Sequence, residues 1–171
     1  MRYRVLKKQN SSAWCIVCGT KNDSSFKARF YECEKEDGSQ VLLTIFSPKD
    51  IHQSYPGRMH GGMSAAMLDE SVGRAVCIER PGTWGVTFDL AVKYRKPVPL
   101  DQDLYCETVT TKITSRGFEG EGKLFTKDGT VCVTAVGKYL ILDPTKISSE
   151  GISEENWFYV DEDLPEFIDI C

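Results

Sequence analysis

The chain lacks any run near the roughly 18 apolar residues of a membrane span, so none is expected. Met1 to Asn10 is basic and polar without an apolar core segment, and no secretory leader is expected there. Histidine is scarce, with only His52 and His60. Seven cysteines (15, 18, 33, 77, 106, 132 and 171) make an odd set without framework spacing. That excludes a disulfide scaffold and points to reduced thiols in a cytoplasm. Positive charge is not in excess: 21 Lys and Arg face 25 Asp and Glu, a net −4 that argues against a general nucleic-acid binder. Internal repeats and low-complexity segments are missing too. With 41% hydrophobic and 27% charged residues, disordered, collagen-like and coiled-coil chains are excluded.

What is present fits one domain of 171 residues, long enough to bury its own core. Three segments are expected: 1–27, carrying Cys15-x-x-Cys18; 28–142, the main domain; and 143–171, an acidic extension. The last holds nine acidic residues and one basic, net −8, which leaves +4 for the first 142 residues. Its Trp157, Phe158, Tyr159, Leu164, Phe167 and Ile168 suit docking on the domain or a partner, or else the tail is partly ordered.

Within the main domain, Ala28–Lys35 and Gln40–Ser47 flank a hairpin signal at Glu36-Asp37-Gly38-Ser39. Thr83–Arg95, Gln102–Thr114, Phe118–Thr126 and Thr130–Leu142 read as further strands with glycine-bearing turns. Between the two groups, Gly61–Glu79 reads as a helix stopped by Arg80-Pro81-Gly82. The class is α+β, one antiparallel sheet of about six strands with one long helix. Many small residues on that helix (Gly61, Gly62, Ser64, Ala65, Ala66, Gly73, Ala75) allow close approach to a sheet.

Asp69 is the odd residue of this helix. Its i±3 and i±4 neighbours are Ala65, Ala66, Val72 and Gly73, which offer neither a cation nor a hydrogen-bonding side chain. A carboxylate there costs free energy unless something uses it. The two readings are a functional acid, which is favoured, and a structural hydrogen-bonded aspartate. Glu70 has Arg74 at i+4 and reads as a solvated ion pair. His60-Gly61-Gly62 starts the helix, where unpaired N–H groups carry partial positive charge and glycine lets an oxygen come close.

The run His60-Gly61-Gly62-Met63-Ser64-Ala65-Ala66-Met67-Leu68-Asp69-Glu70 resembles the signature of hotdog-fold acyl-CoA thioesterases of the phenylacetate-degradation (PaaI) type. Upstream His52-Gln53-Ser54-Tyr55-Pro56-Gly57 and downstream Val92-Lys93-Tyr94-Arg95-Lys96-Pro97-Val98-Pro99 are similar to it as well, and the resemblance covers about residues 28–142. It implies a curved antiparallel sheet wrapped around one long central helix, in homodimers or tetramers of two dimers. It also implies hydrolysis of a coenzyme A thioester, with coenzyme A part of the substrate and no separate cofactor. By position, the resemblance makes Asp69 the base or nucleophile and Gly61 the oxyanion donor. His60 supports that side, Gly62 lines it, and Thr87 helps hold the water. The family often has Asn or Gln where this chain has Ser54, with Gln53 adjacent.

Gly61 and Asp69 lie eight residues apart, hence about 12 Å along one helix axis. Attacking atom and oxyanion donor must each come within roughly 3 Å of one carbon. Two antiparallel helices from two subunits meet that requirement, which places shared sites at a homodimer interface. Arg58, Lys93, Arg95, Lys96 and Arg116 are candidates for the phosphates of coenzyme A, against a solvated basic surface. Cys15 and Cys18 have no second Cys-x-x-Cys, so no metal is expected; redox chemistry is less favoured still, because no βαβ context accompanies the motif, and packing near the active-site loop is the reading. Two rival functions stay open. One is an acyl-CoA-binding protein without turnover, which Ser54 favours. The other is a hotdog hydratase or dehydratase, which the missing Asp-x4-His disfavours.

Overall fold

A computed structural model describes residues 1–149, 151–160 and 164–170. Glu150, Asp161, Glu162 and Asp163 of the acidic extension, and Cys171, lie outside the described residues. The chain runs β1 (Arg2–Lys8), β2 (Ser11–Ser12), β3 (Arg29–Lys35), β4 (Gln40–Phe46), a 3-10 turn (Asp50–His52) and α1 (Gly61–Glu79). It continues as β5 (Gly85–Tyr94), β6 (Leu104–Ile113), β7 (Gly117–Thr126), β8 (Val131–Ile141), α2 (Pro144–Ile147), β9 (Trp157–Phe158) and β10 (Phe167–Asp169). Eight strands form one antiparallel sheet in the order β10-β1-β3-β4-β6-β7-β8-β5, and β2 pairs with β9 apart from it.

This is the α+β hotdog arrangement, with α1 packed on β4, β6, β7, β8 and β5. The expected strands correspond to β3 through β8, and α1 has the expected bounds. The sheet exceeds the expected six strands by two, β1 and β10, which extend it beyond β3. Along β1 only Tyr3 and Lys8 are buried, so its basic composition conceals its pairing. The aromatic extension docks on the domain through its described residues: Phe167 pairs with Arg4, Ile170 is fully buried, and Trp157 packs against Trp84.

Small residues seat α1 on the sheet. A Cβ at Gly73 would lie 3.1 Å from the Tyr139 ring. Under the same helix, the Thr44 hydroxyl donates to Ser71 Oγ at 3.0 Å and the Thr108 hydroxyl to the Ser71 carbonyl at 3.0 Å. These bonds satisfy buried polar groups and fix the rotation of the helix about its axis. That rotation decides which side of α1 each acid faces.

Two apolar clusters lie on opposite side-chain alternations of β4. Leu42 and Phe46 join Phe30, Met67, Leu68 and Leu104. Val41, Leu43 and Ile45 join Tyr3, Tyr105, Phe125 and Ile170, so both chain ends help cover the second cluster. At the other end of the sheet β5 is an edge strand, exposed along nearly its whole length. Val86, Phe88 and Tyr94 of β5 and Val136 and Leu140 of β8 are exposed large apolar residues there.

Candidate active site

Asp69 lies in the middle of α1, half-buried, and faces β5 and β8. The Thr87 hydroxyl donates to Asp69 Oδ1 at 2.9 Å and is 3.1 Å from Oδ2. The Tyr139 hydroxyl lies 3.0 Å from the Asp69 carbonyl oxygen and 3.2 Å from Oδ1. Thr87 was expected at the acid from the resemblance. Tyr139 was not, because it reaches the site from a strand far along the sequence. The one signal available for it was Gly73, which leaves room for an aromatic ring one turn beyond Asp69.

The electrostatics follow from these partners. Burial pushes the Asp69 carboxyl above its ordinary pKa, and the nearby Glu70 carboxylate adds to the rise. The Thr87 and Tyr139 hydroxyls oppose it by hydrogen bonding to the charged form. Tyr139 is itself raised, first by burial and then by Asp69, so it stays a phenol and donates. Among the described residues the site therefore holds a carboxylate on neutral donors, a form that retains basicity.

The helix start is the second part. His60 is the N-cap residue and its Nδ1 accepts from the Gly62 N–H at 2.9 Å. The Tyr94 hydroxyl donates to the Gly61 carbonyl at 2.8 Å, a fixing of the first turn that the sequence did not announce. Gly61 and Asp69 share one continuous helix, which keeps the N-terminal turn and the acid about 12 Å apart within a chain.

The loop before α1 is spoken for by its own contacts. Gln53 Oε1 accepts from the Gly57 N–H at 3.2 Å, and the exposed Ser54 pairs through its backbone N–H with the Arg58 carbonyl at 2.9 Å. His52 is buried: it stacks on Phe26, accepts from the Lys49 N–H at Nδ1, and meets the Ser24 carbonyl through Nε2.

The basic candidates separate. Arg58 and Lys96 converge on a cleft of about 590 Å³ with Pro97, Pro99, Lys127 and Cys132. Lys93 and Arg95 line a different hollow with Glu107 and Lys123, and Arg116 belongs to a third with Phe88 and Lys138. Each of the first two joins two expected cations to a third, but the first carries one acid, Asp128, beside Arg58, Lys96 and Lys127, whereas the second carries two, Glu107 and Glu121, beside Lys93, Arg95 and Lys123.

One expectation is corrected. Glu70 and Arg74 are not a solvated pair: Arg74 Nε meets Glu70 Oε1 at 2.7 Å with side-chain exposures of 8% and 28%. The guanidinium also donates to the Asn10 carbonyl at 2.8 Å and lies over the Phe30 and Trp157 rings at 4.1 and 4.4 Å. Helical spacing predicts the pairing but not what covers it.

Residues 56–133 match the thioesterase superfamily profile. That span contains His60, Gly61, Asp69, Thr87 and Lys96 and ends before Tyr139. The chain is 29% identical over 125 residues to an uncharacterised protein of Schizosaccharomyces pombe, covering 71% of this chain and 69% of that one. It is 26% identical over 152 residues to the acyl-coenzyme A thioesterase THEM4 of Bos taurus, covering 85% of this chain but only 58% of the relative. A crystallised thioesterase superfamily protein superposes with a TM-score of 0.63 at 28% identity, over 74% of this chain and 59% of that one. A protein from Bacillus halodurans crystallised with CoA gives 0.56 at 25% identity, over 64% and 72%. Among the described residues no helix is long and apolar enough to cross a membrane.

Proposed function

We propose that this protein is an acyl-CoA thioesterase of the phenylacetate-degradation type, cleaving R–CO–S–CoA to a free acid and coenzyme A. The observation that carries the reading is Asp69: a half-buried carboxylate held, among the described residues, by the Thr87 and Tyr139 hydroxyls, on a helix that starts at His60-Gly61-Gly62. Asp69 removes a proton from water, or attacks the thioester carbon itself. The Gly61 amide of the second protomer, at a positive helix end, stabilises the oxygen that gains charge. The bovine thioesterase and the CoA-bound bacterial protein supply the substrate class.

The second protomer is part of the reading. An edge strand that exposes Val86, Phe88 and Tyr94 is a template for pairing with another chain. Pairing through β5 carries Thr87, and Asp69 behind it, to the interface, and further association gives two dimers per tetramer. Arg58 and Lys96, joined by Lys127, receive the phosphates of coenzyme A at the cleft they share. Free thiols at Cys15, Cys18, Cys33, Cys77, Cys106 and Cys132 suit a reducing cytoplasm.

Thiol release from a panel of acyl-CoAs tests the reading, with Asp69→Ala beside the unaltered chain. Turnover by the latter and its loss in the variant support it; equal rates remove Asp69 from the chemistry. A second reading, an acyl-CoA-binding module without hydrolysis, is favoured by Gln53, whose carbonyl oxygen serves the Gly57 amide. Tight binding with no thiol release from any substrate decides for that module.

A further inference from the structure

The Cys-x-x-Cys turn is built more tightly than packing alone requires. Gly19 N–H donates to the Cys15 carbonyl at 2.8 Å, closing the turn. A Cβ at Gly19 would lie 2.3 Å from that carbonyl oxygen, so only glycine closes it this way. Ser12 Oγ accepts from the Trp14 and Cys15 amides at 3.4 Å each. From the other side, Lys27 Nζ donates to the Gly19, Thr20 and Asn22 carbonyls at 2.9, 2.9 and 2.7 Å, on a backbone with φ 54°. The whole loop is thereby fixed around two sulfurs.

Those sulfurs and a Glu70 carboxylate oxygen all lie within 4.8 Å of one another. Cys18 is buried and its Sγ accepts from the Arg74 guanidinium and the Ser12 amide, each at 3.4 Å. Cys15 is half-buried, its Sγ accepts from the Val17 amide at 3.3 Å, and exposed Trp14 and Ile16 flank it. The pair is therefore asymmetric, with one sulfur reachable from solvent and one behind it. Three donors resemble a metal set, but Arg74 already places a cation 2.7 Å from the Glu70 oxygen and 3.4 Å from Cys18 Sγ. A second cation beside it is opposed by charge.

We propose that Cys15 and Cys18 form a reversible dithiol–disulfide couple, with Cys15 as the attacking thiolate and Cys18 as the resolving thiol. The oxidant is a low-molecular-weight disulfide such as glutathione disulfide. Cys15 S⁻ bonds to one glutathione sulfur, the S–S bond breaks, and the first glutathione leaves as thiolate and takes a proton from solvent. Cys18 then gives its proton to solvent and attacks Cys15 Sγ. The Cys15–glutathione bond breaks, and the second glutathione leaves and takes up a proton from solvent. Two protein thiols are oxidised, one disulfide is reduced, and two glutathiones are released.

The electrostatics agree. The Cys18 thiol donating to it pulls Cys15 down to about 7, against burial and the Glu70 charge. Cys15 is therefore more readily ionised than an ordinary cysteine, partly offset by the lower nucleophilicity of a more acidic thiol. Burial raises Cys77, the other half-buried cysteine, and slows it.

The test incubates the reduced full chain with glutathione disulfide, quenches in acid, alkylates the unfolded protein and maps the peptides by mass. The expected product is a Cys15–Cys18 disulfide, with Cys33, Cys77, Cys106 and Cys132 alkylated. Cys18→Ala is expected to stop at a Cys15–glutathione mixed disulfide. Should that variant fail to fold, the map of the unaltered chain decides alone. Full alkylation of Cys15 and Cys18 under conditions that modify Cys77 overturns the proposal. So does stoichiometric zinc in the purified protein that protects both sulfurs.

Discussion

Asp69 and Glu70 are adjacent in sequence, on one helix, and live in opposite electrostatic worlds. One residue step turns a helix by about 100°, so Asp69 meets β5 and β8 while Glu70 meets the loop that carries Cys15 and Cys18. Asp69 has two hydroxyl partners, with no cation at its carboxylate among the described residues. Glu70 has a guanidinium sandwiched between Phe30 and Trp157. The same functional group is thus left basic on one side of a helix and neutralised on the other. The contrast teaches that the partner's charge, more than burial, separates an acid available for chemistry from one that holds the fold together.

Breaking the first half of the contrast has the largest expected effect. Asp69→Ala is expected to lower kcat for thiol release by on the order of 10²–10⁴. Asp69→Asn should match that loss yet raise Tm at neutral pH. The sign follows from a folded-state pKa raised above the unfolded one: the charged form opposes folding above the folded pKa, and the penalty disappears below the unfolded pKa. A gain in Tm that persisted in acid would contradict this.

Breaking the second half should cost stability. Arg74→Ala strands the Glu70 carboxylate and empties the space between two rings. Because Glu70 keeps some solvent contact, a loss of about 3 kcal/mol is expected in urea unfolding. A loss within the scatter of surface substitutions would mean that the pair is solvated after all. Removing the other charge, Glu70→Gln, leaves the more buried Arg74 guanidinium on a neutral acceptor of the same shape, so about 2 kcal/mol is expected from the same measurement.

The finest test sharpens the contrast. Thr87→Val and Tyr139→Phe each remove a donor that favours charged Asp69. Each should raise its pKa further and move the rising limb of kcat/KM against pH to higher pH. A shift to lower pH would show that these hydroxyls do not serve the ionised acid.

How much of this was legible in the sequence depended on distance along the chain. The helix Gly61–Glu79, its glycine start and the isolation of Asp69 are local patterns, and the structure has them where the residues place them. Tyr139 and Trp157 were not legible in these roles, because an aromatic residue in a strand or tail reads as core or docking whatever it touches. Arg74 shows the limit most clearly. Its i+4 partner is written in the sequence, but the rings that bury it come from β3 and β9. β1 was hidden for a related reason: a strand at the rim of a sheet buries few side chains, so its alternation is faint.

The central claim is that Asp69 of one protomer is completed by the first turn of another's helix, and subunit mixing tests it directly. Asp69→Ala lacks the acid. Gly61→Pro lacks the amide hydrogen at a helix position that accepts proline. Each homodimer should be inactive in thiol release, whereas random mixed dimers should recover about a quarter of the unaltered rate, since half the dimers then hold one intact site of two. No recovery, with mixed dimers demonstrably formed, would place acid and amide in the same chain and contradict the account.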